Sequence, residues 1–139
     1  MMSAAVEGLS KKGSKRPLLI AVTQLTSTSE ESMKNDLLIC GKMEDVVIHY
    51  AKNAKKAGLD GVVCSPLEAK KVHENCGNDF LTVTPGVRFA SDDIGDHQRV
   101  MTTRQAKEAG SDYIVVGRPI TAAADPVAVY NRCVEEFVD

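Results

Sequence analysis

The sequence contains no tryptophan, and aromatic residues make up only 4% of it. It has little net charge: 17 basic against 19 acidic side chains leave −2 with neutral histidines. Bulk electrostatic attraction to nucleic acid or to an anionic membrane surface is therefore not expected, and an anionic ligand would have to be held by a local device. No apolar run approaches the roughly 18 residues that a membrane span requires. The N-terminal MMSAAVEGLSKKG lacks the basic start and unbroken apolar stretch of a signal peptide. The four cysteines, Cys40, Cys64, Cys76 and Cys133, include no C-x-x-C pair, and Cys64 and Cys133 fall inside apolar patterns. Reduced structural thiols in a cytoplasmic protein are the expectation. No P-loop, no G-x-G-x-x-G and no Ser-His-Asp order is present. His49, His73 and His97 have no metal-ligand spacing, and no lysine flanked by carboxylates stands at a strand end. Neither a metal nor a cofactor is expected, and no residue is an evident acid, base or nucleophile.

What is present is an ordinary globular composition, 43% apolar and 26% charged, over 139 residues. That length suits one domain spanning 1–139 with a core of its own. Four short apolar runs recur: Leu18 to Val22, Gly61 to Cys64, Phe80 to Thr84 and Tyr113 to Val116. Continuous runs rich in β-branched residues suit strands of a parallel sheet covered on both faces.

Helix signals separate the runs. Between Met43 and Ala57, the residues Val46, Val47, Tyr50, Ala51 and Ala54 form one stripe, and Gly58 stands at the expected stop. Ser65-Pro66-Leu67-Glu68 combines an N-cap, a proline at the first helical position and a capping-box glutamate. Thr102 and Gln105 form a second box, and Asp125-Pro126 opens a last helix. The resulting β-α-β-α-β-α-β-α order defines an α/β protein. One echo supports a repeated unit: AKKAGLD (54–60) and AKEAGSD (106–112) each place a helix end, a glycine and an aspartate before a strand. Residues 1–13 read as an amphipathic helix through Met1, Met2, Ala5, Val6 and Leu9 with no N-cap and no strand before it, the pattern of a chain that starts mid-domain. Four βα units are half of a closed (β/α)₈ barrel. The same pattern also fits a complete small flavodoxin-like sheet.

In either architecture ligands bind past the carboxyl ends of the strands. The segments there are 23–27, Ser65-Pro66, 84–88 and 117–120. Gly117, directly after a buried run, lets a phosphate approach backbone N–H groups, and Arg118 adds a forked cationic donor. Gly-Arg-Pro alone equally describes a glycine turn with a solvated arginine. Arg88 at the end of the neighbouring run gives a second fork, and two such groups suit one dianion. The polar segment from Phe89 to Val100 is a solvated connection or a lid. Its Asp92, Asp93 and Asp96 match no Ca²⁺ loop. Thr26 is suited to a ligand carbonyl or amide, or to capping its own turn.

The stretches LLIAVTQLTS (18–27), GLDGVVCSPLEA (58–69), TVTPGVRF (82–89) and YIVVGRPIT (113–121) together resemble orotidine 5′-monophosphate decarboxylases of the bacterial type. The resemblance covers nearly the whole chain in order and spacing. It implies the C-terminal half of a TIM barrel of the ribulose-phosphate-binding type, strands 5 to 8 with their helices. It also implies orotidine and uridine 5′-monophosphate as ligands, a homodimer in the intact family, and catalysis without a cofactor. By analogy Thr26 contacts the pyrimidine, Pro85 lines the pocket, and Arg88, Gly117 and Arg118 hold the 5′-phosphate. A loop glutamine of the family corresponds to Gln98, although ungapped counting from Arg88 arrives at His97.

The family's chemistry rests on an Asp-x-Lys-x-x-Asp motif and a further lysine, and this sequence has no such motif. Lys34 and Asp36 stand in the wrong order, in what reads as a polar loop. The resemblance thus implies the nucleotide-holding half of the decarboxylase, inactive without the missing N-terminal half of the barrel. Two alternatives remain at this point. One is a relative of the 3-keto-gulonate-phosphate decarboxylases; the other is a non-catalytic half-barrel interaction module.

Overall fold

The computed structural model describes residues 1–11, 16–89 and 101–138. Four strands, β1 (Ile20–Val22), β2 (Gly61–Val63), β3 (Leu81–Pro85) and β4 (Tyr113–Val115), form one sheet in the order β1-β2-β3-β4. All three pairings are parallel. Seven helices accompany them: α1 (Met2–Ser10), α2 (Glu30–Asn35), α3 (Met43–Lys56), α4 (Pro66–Cys76), α5 (Thr103–Glu108), α6 (Arg118–Thr121) and α7 (Pro126–Phe137). A doubly wound sheet reverses its strand order at a switch point and carries helices on both faces. Here the order never reverses, and right-handed crossovers then put every connecting helix on the same side. The flavodoxin-like alternative is thereby excluded, and the architecture is that of successive barrel units.

Local sequence explains most of the elements. In α4, the Ser65 hydroxyl accepts from Leu67 N at 3.3 Å while the Glu68 carboxylate accepts from Ser65 N at 2.8 Å. Thr102 and Gln105 make the matching exchange at α5, at 3.2 and 3.0 Å. At α7 the Asp125 carboxylate accepts from Ala128 N at 3.0 Å. Two helices depart from expectation. Lys34 lies within α2, not in a loop; Ser29 caps that helix, and Met33 is its one buried side chain. A single buried position leaves no periodic stripe to read. A one-turn helix, α6, also begins directly after Gly117. In addition, α1 ends at Ser10, and residues 12 and 13, which the sequence assigned to its end, lie outside the described residues.

The two faces of the sheet differ. Ala21, Val62, Thr82, Ile114 and Thr84 share the face toward the helices, where Val62, Thr82 and Thr84 are fully buried. Met33, Val47, Ala51, Val72 and Cys76 close over it. Each large aliphatic side chain buried in this layer contributes about 1.5–3 kcal/mol. Cys64 and Cys133 are buried, as their apolar contexts predicted, and Cys76 joins them. The opposite face carries Ile20, Val22, Val63, Leu81, Val83, Pro85, Tyr113 and Val115, paired row by row. At its margins Val22, Tyr113 and Val115 are half-exposed. The expectation of strands covered on both sides therefore holds for one side only, because four strands do not curl far enough to cover their own concave face.

The repeated AKxAGxD segments build one device twice. Gly58 and Gly110 both adopt positive φ, at 88° and 83°, and turn the chain sharply out of α3 and α5. Each following aspartate then reaches back to the strand before. Asp60 Oδ2 accepts from Leu19 N at 2.7 Å, and Asp112 Oδ2 accepts from Thr82 N at 2.7 Å. Each gains a basic partner as well. The Arg16 guanidinium grips both oxygens of Asp60 at 2.6 and 2.8 Å, and His73 Nε2 stands 3.2 Å from Asp112. These clamps sit at the amino ends of the strands.

The Arg16 fork, helped by Leu19 N, holds the Asp60 carboxyl below its ordinary range. A depressed carboxyl stabilises the fold above its unfolded-state pKa and loses that contribution as pH falls through its folded value. Asp60→Asn is expected to cost roughly 1–2 kcal/mol at neutral pH and to flatten the acid limb of stability, read by urea denaturation at several pH values. Gly61→Ala is expected to be worse. A Cβ there would lie 2.3 Å from the Leu81 carbonyl oxygen, so β2 and β3 must separate. A loss of about 3 kcal/mol or more, or failure to fold, is the expected reading of the same measurement.

Candidate functional site

Past the carboxyl ends of the strands the chain gathers a set of buried polar groups. Beyond β1, Thr23, Gln24 and Thr26 are all buried. Thr23 extends the ladder: its N and Oγ1 donate to the Val63 carbonyl at 3.1 and 2.9 Å. Thr26 lies in a tight turn that Thr28 N closes onto the Leu25 carbonyl at 3.0 Å. Beyond β2, Ser65 and Glu68 are buried together in the cap of α4.

Pro85 ends β3 and is paired with Val115 of β4. Val87, two residues on, bridges to Met101, and Arg88 N donates to the Met101 carbonyl at 3.0 Å. The main chain around Arg88 is thus fixed at both sides of residues 90–100. The side chain is buried, and its Nη1 donates to the Val87 carbonyl at 2.8 Å. Phe89 next to it is buried beneath the Arg132 guanidinium of α7, whose carbon stands 4.0 Å from the ring centroid.

Gly117 follows β4 by two residues and caps α6, its carbonyl accepting from Ile120 N and Thr121 N at 2.9 and 3.0 Å. A Cβ built on it would meet no described atom within 4 Å. Crowding within the described chain does not call for glycine here. Arg118, the first residue of α6, is exposed.

The sheet register thus brings Thr26, Pro85, Arg88, Gly117 and Arg118 to one end, with Arg88 and Gly117-Arg118 past adjacent strands. Gln98 and His97 lie outside the described residues, as does most of the 89–100 segment with Asp92, Asp93 and Asp96. Gln24 was not singled out from the sequence; its burial beside Thr26 would have been suggested only by its place directly after an apolar run. Among the described residues no group of three or more His, Cys, Asp and Glu side chains could hold a metal ion. Nor is any described helix long and apolar enough to cross a membrane.

Successive parallel βα units with one helical layer and polar groups past the carboxyl ends define a protein of the (β/α)₈-barrel class, seen here as four units. Residues 1–133 match the model of the orotidine 5′-phosphate decarboxylase / HUMPS family, and the chain belongs to that family. It is 54% identical over 140 residues to the orotidine 5′-phosphate decarboxylase of Bacillus mycoides (strain KBAB4), a match covering 99% of this chain and 59% of the relative. The crystal structure of orotidine 5′-phosphate decarboxylase from Lactobacillus acidophilus superposes with a TM-score of 0.83 at 46% identity, over 100% of this chain and 58% of that one. The Pyrococcus horikoshii OT3 structure of the same name, 17% identical with a TM-score of 0.65 and 56% of its length covered, shares the fold. The chain therefore spans a little under three fifths of the relatives it matches.

Gly117→Ala is expected to shift stability by no more than about 0.5 kcal/mol, since it meets nothing in the described chain. Unfolding midpoints of the two proteins compared side by side check this, and a large loss would mean that the glycine serves the fold itself.

Proposed function

We propose that this chain is the nucleotide-holding part of an orotidine 5′-monophosphate decarboxylase of de novo pyrimidine synthesis, a cytoplasmic carboxy-lyase that works without a cofactor. In this reading Arg88, Gly117 and Arg118 hold the 5′-phosphate, Thr26 and Pro85 face the pyrimidine, and Gln98 closes over both. The observation that carries it is Gly117, in a chain that belongs to this family. Its glycine is unexplained by the described chain's own packing, and it stands beside a cationic fork at the carboxyl end of the sheet. A phosphate seated against the bare backbone accounts for it.

The roles follow from the chemistry. Loss of CO₂ leaves an electron pair on a ring carbon, so the transition state needs preorganised charge near that carbon and a proton donor to quench it. None of the proposed contacts provides either. Their task is to grip the distant phosphate and fix the ring, so that binding energy far from the reacting bond is expressed as orientation. The sequence has no Asp-x-Lys-x-x-Asp motif to do the rest. The 139 residues by themselves are therefore assigned binding without turnover. Catalysis is assigned to an assembly that includes the motif-bearing part of the barrel, which in the intact family is a homodimer.

Calorimetry with uridine 5′-monophosphate, uridine and 3-keto-gulonate 6-phosphate tests this. The expected order places uridine 5′-monophosphate at least tenfold ahead of uridine, because charge-assisted contacts to the phosphate contribute about 1.5–3 kcal/mol. Arg118→Gln should remove most of that difference, and Gly117→Val should abolish binding without unfolding the chain. Equal affinity for uridine and its monophosphate would refute the phosphate site. Preference for the gulonate phosphate would transfer the chain to the alternative reading. Turnover of orotidine 5′-monophosphate by the isolated chain would overturn the assigned inactivity.

A further inference from the structure

We infer that Arg132 and Glu136 of α7 form a positioning clasp for Arg88, fastening the two stretches of chain that flank residues 90–100. The inference rests on the proposed phosphate role of Arg88, and it names two residues outside the ligand-holding set on which that role depends. Its first ground is the way Arg88 is bracketed. Val87 and Phe89, on either side of it, are both buried, and Arg88 N donates to the Met101 carbonyl at 3.0 Å. The side chain is buried too, with Nη1 donating to the Val87 carbonyl at 2.8 Å. The guanidinium is thus tied to its own main chain, and a shift of this short stretch carries it along.

The second ground is what α7 lays against that stretch. The Arg132 guanidinium carbon stands 4.0 Å from the centroid of the Phe89 ring, the placement of a cation over an aromatic face. The same guanidinium donates from Nε to Glu136 Oε1 at 2.7 Å, one helical turn further along. The other carboxylate oxygen of Glu136 accepts from the hydroxyl of Thr103, a buried residue that opens α5 two positions after Met101. One ion pair therefore reaches both flanks, Phe89 on the near side of residues 90–100 and Thr103 on the far side.

An i, i+4 pair on a helix surface ordinarily contributes little. Two observations set this pair apart. The Glu136 side chain is only 19% exposed, and the Thr103 hydroxyl, with Arg132 beside it, holds its carboxyl below the ordinary range against the opposing effect of burial. Both members also meet partners more than thirty residues away in sequence, which a pair serving only its own helix does not. Lys107 offers a contrast, since its Nζ donates to the Val138 carbonyl at 3.4 Å and joins α5 to the end of α7 away from Phe89. What the clasp supplies is orientation. A charge-assisted contact depends on the direction of the arginine fork, so a loosened Arg88 grips a phosphate less well while contacts to the pyrimidine are unaffected.

Calorimetry of the chain with uridine 5′-monophosphate and with uridine tests the inference. Arg132→Ala should weaken uridine 5′-monophosphate about threefold to tenfold and leave uridine unchanged. Arg132→Lys, which keeps a cation for both the ring and the carboxylate, should stay within about twofold of the unmodified chain. Phe89→Leu keeps the buried bulk and removes the ring face, so its effect and that of Arg132→Ala should not add in the double variant. Lys107→Met loosens the same two helices elsewhere and should leave both affinities unchanged. With no ligand present, the Arg88 amide should exchange hydrogen about tenfold faster in Arg132→Ala, while the Val62 amide of β2 keeps its rate. A phosphate preference indifferent to Arg132→Ala would overturn the inference. So would equal weakening of uridine and its monophosphate, full additivity in the double variant, or unchanged exchange at Arg88. If the unmodified chain shows no preference for the monophosphate, the nucleotide site fails and the clasp's role fails with it; a preference present there and untouched by the variants sinks the clasp alone.

Discussion

Everything in this structure follows from a parallel ladder that never changes direction. Each strand hydrogen-bonds to the next in sequence, and each return path must cross over the same side of the sheet. Helices α3, α4 and α5 consequently crowd one face and bury Val62, Thr82 and Thr84, while the other face is left to whatever approaches from outside. The ladder also aligns the strand ends. Whatever follows β1, β3 and β4 emerges at one rim, which is why residues as far apart in sequence as Thr26 and Arg118 occupy the same end of the molecule. Placement of the candidate site is thus a property of topology, and the identity of its side chains is a property of three short loops.

Much of this was legible in the amino-acid sequence because it rests on local rules. The Ser65–Glu68 and Thr102–Gln105 boxes, the glycine stops at Gly58 and Gly110, and the stripe of α3 are interactions between residues a few positions apart. The glycine and arginine past β4 were legible for the same reason. What escaped was non-local or lacked period. Helix α2 buries only Met33, so nothing distinguished it from a polar loop. The contacts of His73 with Asp112 and with the Gly110 carbonyl span more than thirty residues and leave no mark on spacing. The asymmetry between the two sheet faces was also invisible. A run such as Ile20-Ala21-Val22 is apolar on both sides whether or not both sides are covered, and periodicity reports what a residue is suited to, not what lies against it.

The family assignment and the site draw on different kinds of support. Membership rests on a match over residues 1–133 and on close likeness to named decarboxylases. The site rests on physical features of this chain: a buried arginine tied down by its own main chain, a glycine with open space where a side chain would be, and polar groups gathered past the carboxyl ends of the sheet. Both support the proposed anionic, nucleotide-like ligand.

The paired aspartate clamps have a further implication for how such a fold tolerates change. Asp60 and Asp112 fasten successive strands at their amino ends, at the far side of the sheet from Thr26, Arg88 and Gly117. The clamps and the proposed recognition residues therefore stand at opposite rims. Loops at the recognising rim are free to be exchanged, lengthened or recoded for another phosphate ester while the fastening rim keeps the strands in register. A scaffold divided in this way is a ready starting point for new specificity, because variation at the mouth leaves the aspartate clamps untouched.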